Sequence, residues 1–229
     1  MLSLFDKNQR WRKKALATTK DESFRQYLLN DFPKTSQTVS ETEFLVLDFE
    51  TTGLDSKKDH IISAGWVEIS KNKIQLSSAE HYLISTKKQL SGESVSIHNL
   101  TDDMISKGVP ITIFIKHLLK KITGKVVIAH YKKIENEFLQ QICNNMFSCN
   151  LPIIMIDTLM IEKNIREKAN KPIVVNELRL FNLRNHYNLP RYHAHNALED
   201  AIATAELFLA QINKHFSSPD KLKIKALLY

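Results

Sequence analysis

Two acidic side chains one residue apart close an apolar run, Phe44-Leu45-Val46-Leu47-Asp48-Phe49-Glu50-Thr51-Thr52-Gly53. Residues i and i+2 of a strand point to the same side, so Asp48 and Glu50 aim two carboxylates at one point where the strand stops. Hard oxygen ligands held side by side suit a divalent cation. Taken alone, the same residues also fit a strand that runs out into a polar Thr-Thr-Gly turn.

A second segment, His195-Asn196-Ala197-Leu198-Glu199-Asp200-Ala201, stands far along the chain. Leu198, Ile202, Ala205, Phe208, Leu209 and Ile212 recur at helical spacing and Asn196 is a suitable N-cap, which predicts a helix from about Ala197. His195 then lies just ahead of the helix, on lead-in chain able to swing over a site, and Asp200 about one turn into it. An ionised Asp beside an imidazole has the form of a metal ligand with a neighbouring general base. Glu199 reads as a solvated first-turn acid that suits the helix dipole.

Together these segments resemble the DnaQ-like, or DEDDh, family of 3′ to 5′ exonucleases, which includes polymerase proofreading domains and RNA-trimming enzymes. The family's Asp-x-Glu-Thr-Thr-Gly is met by Asp48 to Gly53 and its His-x-Ala-x-x-Asp-Ala by His195 to Ala201, and the resemblance covers roughly residues 43 to 213. The middle motif departs. Where the family has Ala-His-Asn-x-x-Phe-Asp-x-x-Phe-Leu, this chain has Ala129-His130-Tyr131-Lys132-Lys133-Ile134-Glu135-Asn136-Glu137-Phe138-Leu139. Ala129-His130 and Phe138-Leu139 set the register, so Glu135 falls on the family's third Asp and Glu137 misses it. In the family that acid serves the more loosely held metal, often through water, which implies that a longer arm is tolerated.

The resemblance implies that Asp48, Glu50, Glu135 and Asp200 hold two Mg²⁺ or Mn²⁺ ions. His195 would take the proton of the attacking water, and a nucleoside 5′-monophosphate would leave. Thr51 and Thr52 would border the terminal nucleotide, and His98, in Ser96-Ile97-His98-Asn99-Leu100-Thr101, would help hold substrate. Asp157, in an Asp-Thr-Leu that recurs in the family, reads as structural rather than as a ligand. Lys132 and Lys133 read as a solvated basic turn. His81, His117, His186 and His215 fall outside any motif and read as surface or packed residues.

The elements that must position these groups follow from periodicity. Strand-like runs occupy 44–48, 61–69 and 73–84, followed by helical patterns near 98–107 and 111–122, a strand at 125–129, a helix from about 132, an apolar run at 153–156 and further helices to about 215. Strands in sequence, then strands alternating with helices, predict an α/β fold with a mixed β-sheet flanked by helices. That is the ribonuclease H-like arrangement the resemblance implies. The chain divides into an N-terminal helical extension (1–40), an exonuclease domain (41–216) and a short C-terminal tail (217–229).

Composition agrees. The 229 residues, 43% hydrophobic, have room for one sizeable domain, and a formal charge of +7 favours a polyanionic partner. Cys143 and Cys149 have no histidine at zinc spacing and read as reduced thiols of a cytoplasmic protein. No apolar run is long enough to cross a bilayer. The expected partner is a nucleic acid with a free 3′ end, single-stranded DNA favoured. The short stretch after the last helix favours a stand-alone enzyme, with polymerase association open. The alternatives are trimming of RNA or short oligonucleotides and, from another class, a catalytically silent nucleic-acid-binding subunit.

Overall fold

The apolar run that carries Asp48 and Glu50 forms strand β1 (Phe44–Thr51), with Phe44 to Leu47 all buried, as befits a strand covered on both faces. The computed structural model describes residues 4–88, 100–192 and 196–229. In it β1 pairs antiparallel with β2 (Ile61–Ser70) and parallel with β5 (Val126–Ala129). Beyond β2 come β3 (Lys73–Ser85), antiparallel to it, and the short β4 (Val109–Pro110), parallel to β3; β6 (Met155–Asp157) lies parallel to β5. The sheet is mixed, in the order β4-β3-β2-β1-β5-β6.

Alternation along β1 divides the core. Leu45, Leu47 and Phe49 face one layer, with Trp66, Phe114 and Phe138, while Phe44 and Val46 face the other, with Val67, Phe208 and Ile212. The first layer is built by α2 (Glu22–Leu29), α4 (Ile111–Ile122) and α5 (Lys133–Phe147), reached through α1 (Leu4–Thr18) and α3 (Asp102–Ser106). The second is dominated by α8 (Ala197–His215), flanked by α6 (Thr158–Lys168) and α7 (Leu180–His186). Asp48 and Glu50, even-numbered like Phe44 and Val46, point to the α8 side.

Three differences from the sequence reading have physical causes. β1 runs on to Thr51 because Glu50 and Thr51 pair with Ser63 and Ile61 across a bulge. β4 is two residues long, too short to show a period. The helix expected near 98–107 is α3, capped by the Thr101 hydroxyl on the Met104 N–H, and its expected first residues lie outside the described ones.

The N-terminal helices are part of the core rather than an arm extended from it. Phe24 stacks on Phe147 with ring centroids 4.4 Å apart, and the Asn8 amide donates to the Ile153 carbonyl at 2.7 Å. Arg12 Nε donates to the Leu28 carbonyl at 2.6 Å, tying α1 to the end of α2. The segment after α8 folds back likewise: Val39 N–H donates to the Leu222 carbonyl, and Ile224 and Leu227 are buried in the second layer. Cys143 and Cys149 are buried free thiols. Among the described residues no helix is long and apolar enough to cross a membrane.

Candidate active site

At the end of β1, Asp48 lies opposite Gly65 of β2 and Glu50 opposite Ser63. The start of α8 crosses β2 at Gly65. A Cβ there would stand 2.2 Å from the Leu198 nitrogen and 2.4 Å from the Ala197 carbonyl carbon, so only a glycine admits this approach. Asn196 caps the helix, its Oδ1 accepting from the N–H groups of Leu198 at 3.1 Å and Glu199 at 3.2 Å. The first turn then presents Asp200 to the strand end.

Ligand oxygens of Asp48, Glu50 and Asp200 all lie within 4.8 Å of one another. Glu50 is 7% and Asp200 8% exposed, and Asp48 is intermediate. Glu135, 3% exposed, approaches from α5 in the opposite layer, around the end of β1. Burial, together with the charges of Glu135, Glu50 and Asp200, pushes the Asp48 carboxyl well above the usual carboxylate range. Burial pushes Glu135 up to about 8, with repulsion from Asp157 and Glu50 adding to it, while the N–H groups of Phe49 and of Glu135 itself offset part of the cost. The Glu135 Oε2 atom is buried with no hydrogen-bond partner among the described residues. Three carboxylates grouped this closely, with the charge of Glu135 acting on Asp48, leave negative charge for a cation to neutralise, and their hard oxygens fit Mg²⁺ or Mn²⁺.

Glu137, two residues on, points outward and lies 3.8 Å from Lys133. Asp157 does not join the cluster but braces the turn before α5. Its carboxylate accepts from the N–H groups of Tyr131 at 2.9 Å, Lys132 at 3.1 Å and Leu159 at 3.0 Å, and holds Tyr131 at a φ of 63°. His130 is neutral, pushed down to about 4 by burial. Its Nε2 donates to the Leu178 carbonyl at 3.0 Å, so its Nδ1 accepts from the Thr158 hydroxyl at 2.8 Å. The reading of a solvated basic turn is corrected for Lys132. Its Nζ is drawn inward to the carbonyls of Met155 at 3.2 Å and Tyr229 at 3.1 Å, and burial lowers its pKa; Lys133 remains exposed.

The turn after β1 is tied internally. The Thr51 hydroxyl donates to the Gly53 carbonyl at 2.8 Å and the Thr52 hydroxyl to Asp59 Oδ1 at 3.1 Å, while a Cβ on Gly53 would come within 2.5 Å of the Asp59 carboxylate. His98 and His195 lie outside the described residues.

Two features escaped the sequence reading. Gly65, inside an otherwise apolar strand, was the available signal for a close backbone approach. His81, read as a surface or packed residue, lies on the α8 side of the sheet. Its Nε2 is 2.7 Å from the Ser63 hydroxyl, and it is near enough to Glu50 for that carboxylate to favour its charged form, although burial outweighs this and lowers its pKa. No sequence spacing links His81 to the motifs.

The RNase_T exonuclease family model matches residues 45–208. Curated relatives include DNA polymerase III PolC-type of Thermotoga maritima, 30% identical over 174 residues that make up 75% of this chain and 12% of the relative. DNA polymerase III subunit epsilon of Treponema pallidum is 27% identical over 172 residues, 75% of this chain and 77% of the relative. The chain thus spans only a small part of its PolC-type relatives. Among solved structures, the nuclease domain of 3′hExo, a DEDDh family member bound to rAMP, superposes with a TM-score of 0.66 at 13% identity, covering 81% of this chain and 97% of that one. Exonuclease X in complex with 5′ overhanging duplex DNA gives 0.59 at 20% identity, covering 80% and 99%. These structures share the fold, a ribonuclease H-like mixed sheet flanked by helices.

Proposed function

The chain belongs to the RNase T family of 3′ to 5′ exonucleases, and we propose that it removes nucleoside 5′-monophosphates from the 3′ end of DNA in the cytoplasm. The observation that carries this reading is the grouping of Asp48, Glu50 and Asp200, with Glu135 near enough for its charge to act on Asp48.

In this reading the four carboxylates hold two Mg²⁺ or Mn²⁺ ions. Bound there, the ions supply the charge that activates water and stabilises the leaving oxygen. The chain's own residues do the rest. Asp48 and Glu50 are fixed by the pairing of β1 with β2, so their oxygens need little rearrangement to bind. The Thr51-Thr52 turn, braced by Asp59, presents a fixed backbone to the terminal nucleotide, and His98 adds a polar contact to it. His195, next to the Asn196 cap, accepts the proton of the attacking water.

DNA is favoured by the likeness to DNA polymerase III subunit epsilon, and a single strand by Exonuclease I, of the same fold, which has been solved with a dA16 oligonucleotide. The 3′hExo domain bound to rAMP supports RNA as the second reading. Digestion of 3′-labelled single-stranded DNA, duplex DNA and RNA, with and without EDTA, tests both. The expected result is metal-dependent release of mononucleotides, fastest from single-stranded DNA and abolished by Asp48→Ala or Asp200→Ala. Activity within a few-fold of the parent in either variant would overturn the assignment.

A further inference from the structure

The outward face of α5 forms one wall of an open groove of about 690 Å³, whose other wall is the turn from Leu54 to Lys57. At its near end the groove is lined by Leu54 and Asn136, which follow Gly53 and Glu135 in the chain. It runs along Asn136, Gln140 and Asn144, which share one helical face. These amides are held in place: Gln140 Nε2 donates to the Leu151 carbonyl at 2.9 Å, and Asn144 Nδ2 donates to Asn150 Oδ1 at 2.7 Å. The acids on the groove are paired, Asp55 with Lys58 at 3.3 Å and Glu137 with Lys133 at 3.8 Å. Asn144 also lines a second hollow, of about 170 Å³, whose far wall is Trp11 and Lys14 of α1. Lys13 and Lys14 are exposed and have no acidic partner within 4 Å among the described residues.

We propose that this surface carries the single strand upstream of the 3′ end, with α1 as its distal contact. The inference rests on the exonuclease reading and extends it. The Gln140 and Asn144 amide donors are spent within the protein, on Asn136, Leu151, Gln140 and Asn150, so this uncharged wall holds no phosphate in one register, which suits a strand that must advance after each cleavage. A basic, aromatic end provides the electrostatic and stacking interactions that sequence-tolerant single-strand binding uses. From Glu135 to Asn144 the helix rises about 14 Å, on the order of four nucleotides at the stacked spacing. A trimer would therefore stop short of α1, and an oligonucleotide of twelve or more would reach it.

The test compares a DNA trimer with a 15-mer of the same 3′ sequence, using the parent, Lys13→Glu/Lys14→Glu and Asn144→Asp. The positions are exposed, and a thermal melt checks that each variant is folded. Reversing the charge of the α1 end should raise KM for the 15-mer about 10-fold in the double variant, leave kcat within 2-fold and leave trimer hydrolysis unchanged. The dependence of log KM on log salt should become shallower by about 0.7 for each phosphate that α1 no longer neutralises. Anisotropy of a labelled 15-mer in Ca²⁺ should show the same fall in affinity without turnover. Equal effects on trimer and 15-mer, or none on the 15-mer, would overturn the upstream path alone. A parent that hydrolyses neither substrate would overturn the exonuclease reading beneath it.

Discussion

Replacing Glu135 by Gln should make the metal-free protein more stable and the enzyme far less active. In the folded site Glu135 titrates at about 8 against an ordinary value of 4.5. Above 4.5 the unfolded chain releases this proton while the folded site keeps it, so the unfolded state binds fewer protons. Stability therefore falls as pH rises through the window from 4.5 to 8. At about 1.4 kcal/mol per pH unit, the loss at pH 7 is on the order of 3 kcal/mol. Gln has no proton to hold or lose, and its amide nitrogen can face the neighbouring carboxylates where Oε2 now has no partner. For a chain of this size that corresponds to about 6 to 12 °C in melting temperature. Scanning fluorimetry in EDTA should show the gap between variant and parent opening steadily from pH 5 to pH 8. Added Mg²⁺ should raise the parent's midpoint more than the variant's, because cation binding is what offsets the repulsion. The variant's turnover should drop by ~10² or more, the scale of one charged group's electrostatic contribution at a reaction centre. A variant that melts at or below the parent at pH 7, with a gap that does not change with pH, would refute the charge argument.

Glu135→Asp, which restores the family residue but shortens the arm, should keep partial activity with a higher Mg²⁺ requirement in a titration, whereas Glu137→Gln should be silent in the same assay. Gly65→Ala should push the start of α8 off the sheet, costing about 1 to 3 kcal/mol in denaturant melts. It should also cost on the order of 10² in rate, since a misplacement of about 1 Å at a reaction centre has that effect; activity within 3-fold of the parent would show that Asp200 does not depend on this approach of helix to strand. His195→Ala should lose on the order of 10² to 10⁴ in kcat and flatten the acidic limb of the pH–rate profile, because the protonated ring cannot accept the water's proton. An unchanged profile would remove His195 from that role.

Much of the site is legible along the chain because its parts are local. The i, i+2 relation of Asp48 and Glu50 follows from strand geometry whatever surrounds them, and Asn196 with the apolar spacing from Leu198 to Ile212 suffices to start a helix that carries Asp200 in its first turn. The order of the longer strands and helices was readable for the same reason. What lies between segments distant in sequence was decided only by packing. Glu135 turns inward and Glu137 outward because the buried face of α5 is chosen by the core it meets, through Phe138, Leu139 and Cys143. Lys132 turns inward because Asp157, on the neighbouring strand β6, pins the turn that carries it. The N-terminal helices join the core through Phe24 and Phe147, and Gly65 matters only because α8 crosses β2 there. Each of these depends on which surfaces meet in space, and one-dimensional spacing carries no record of that.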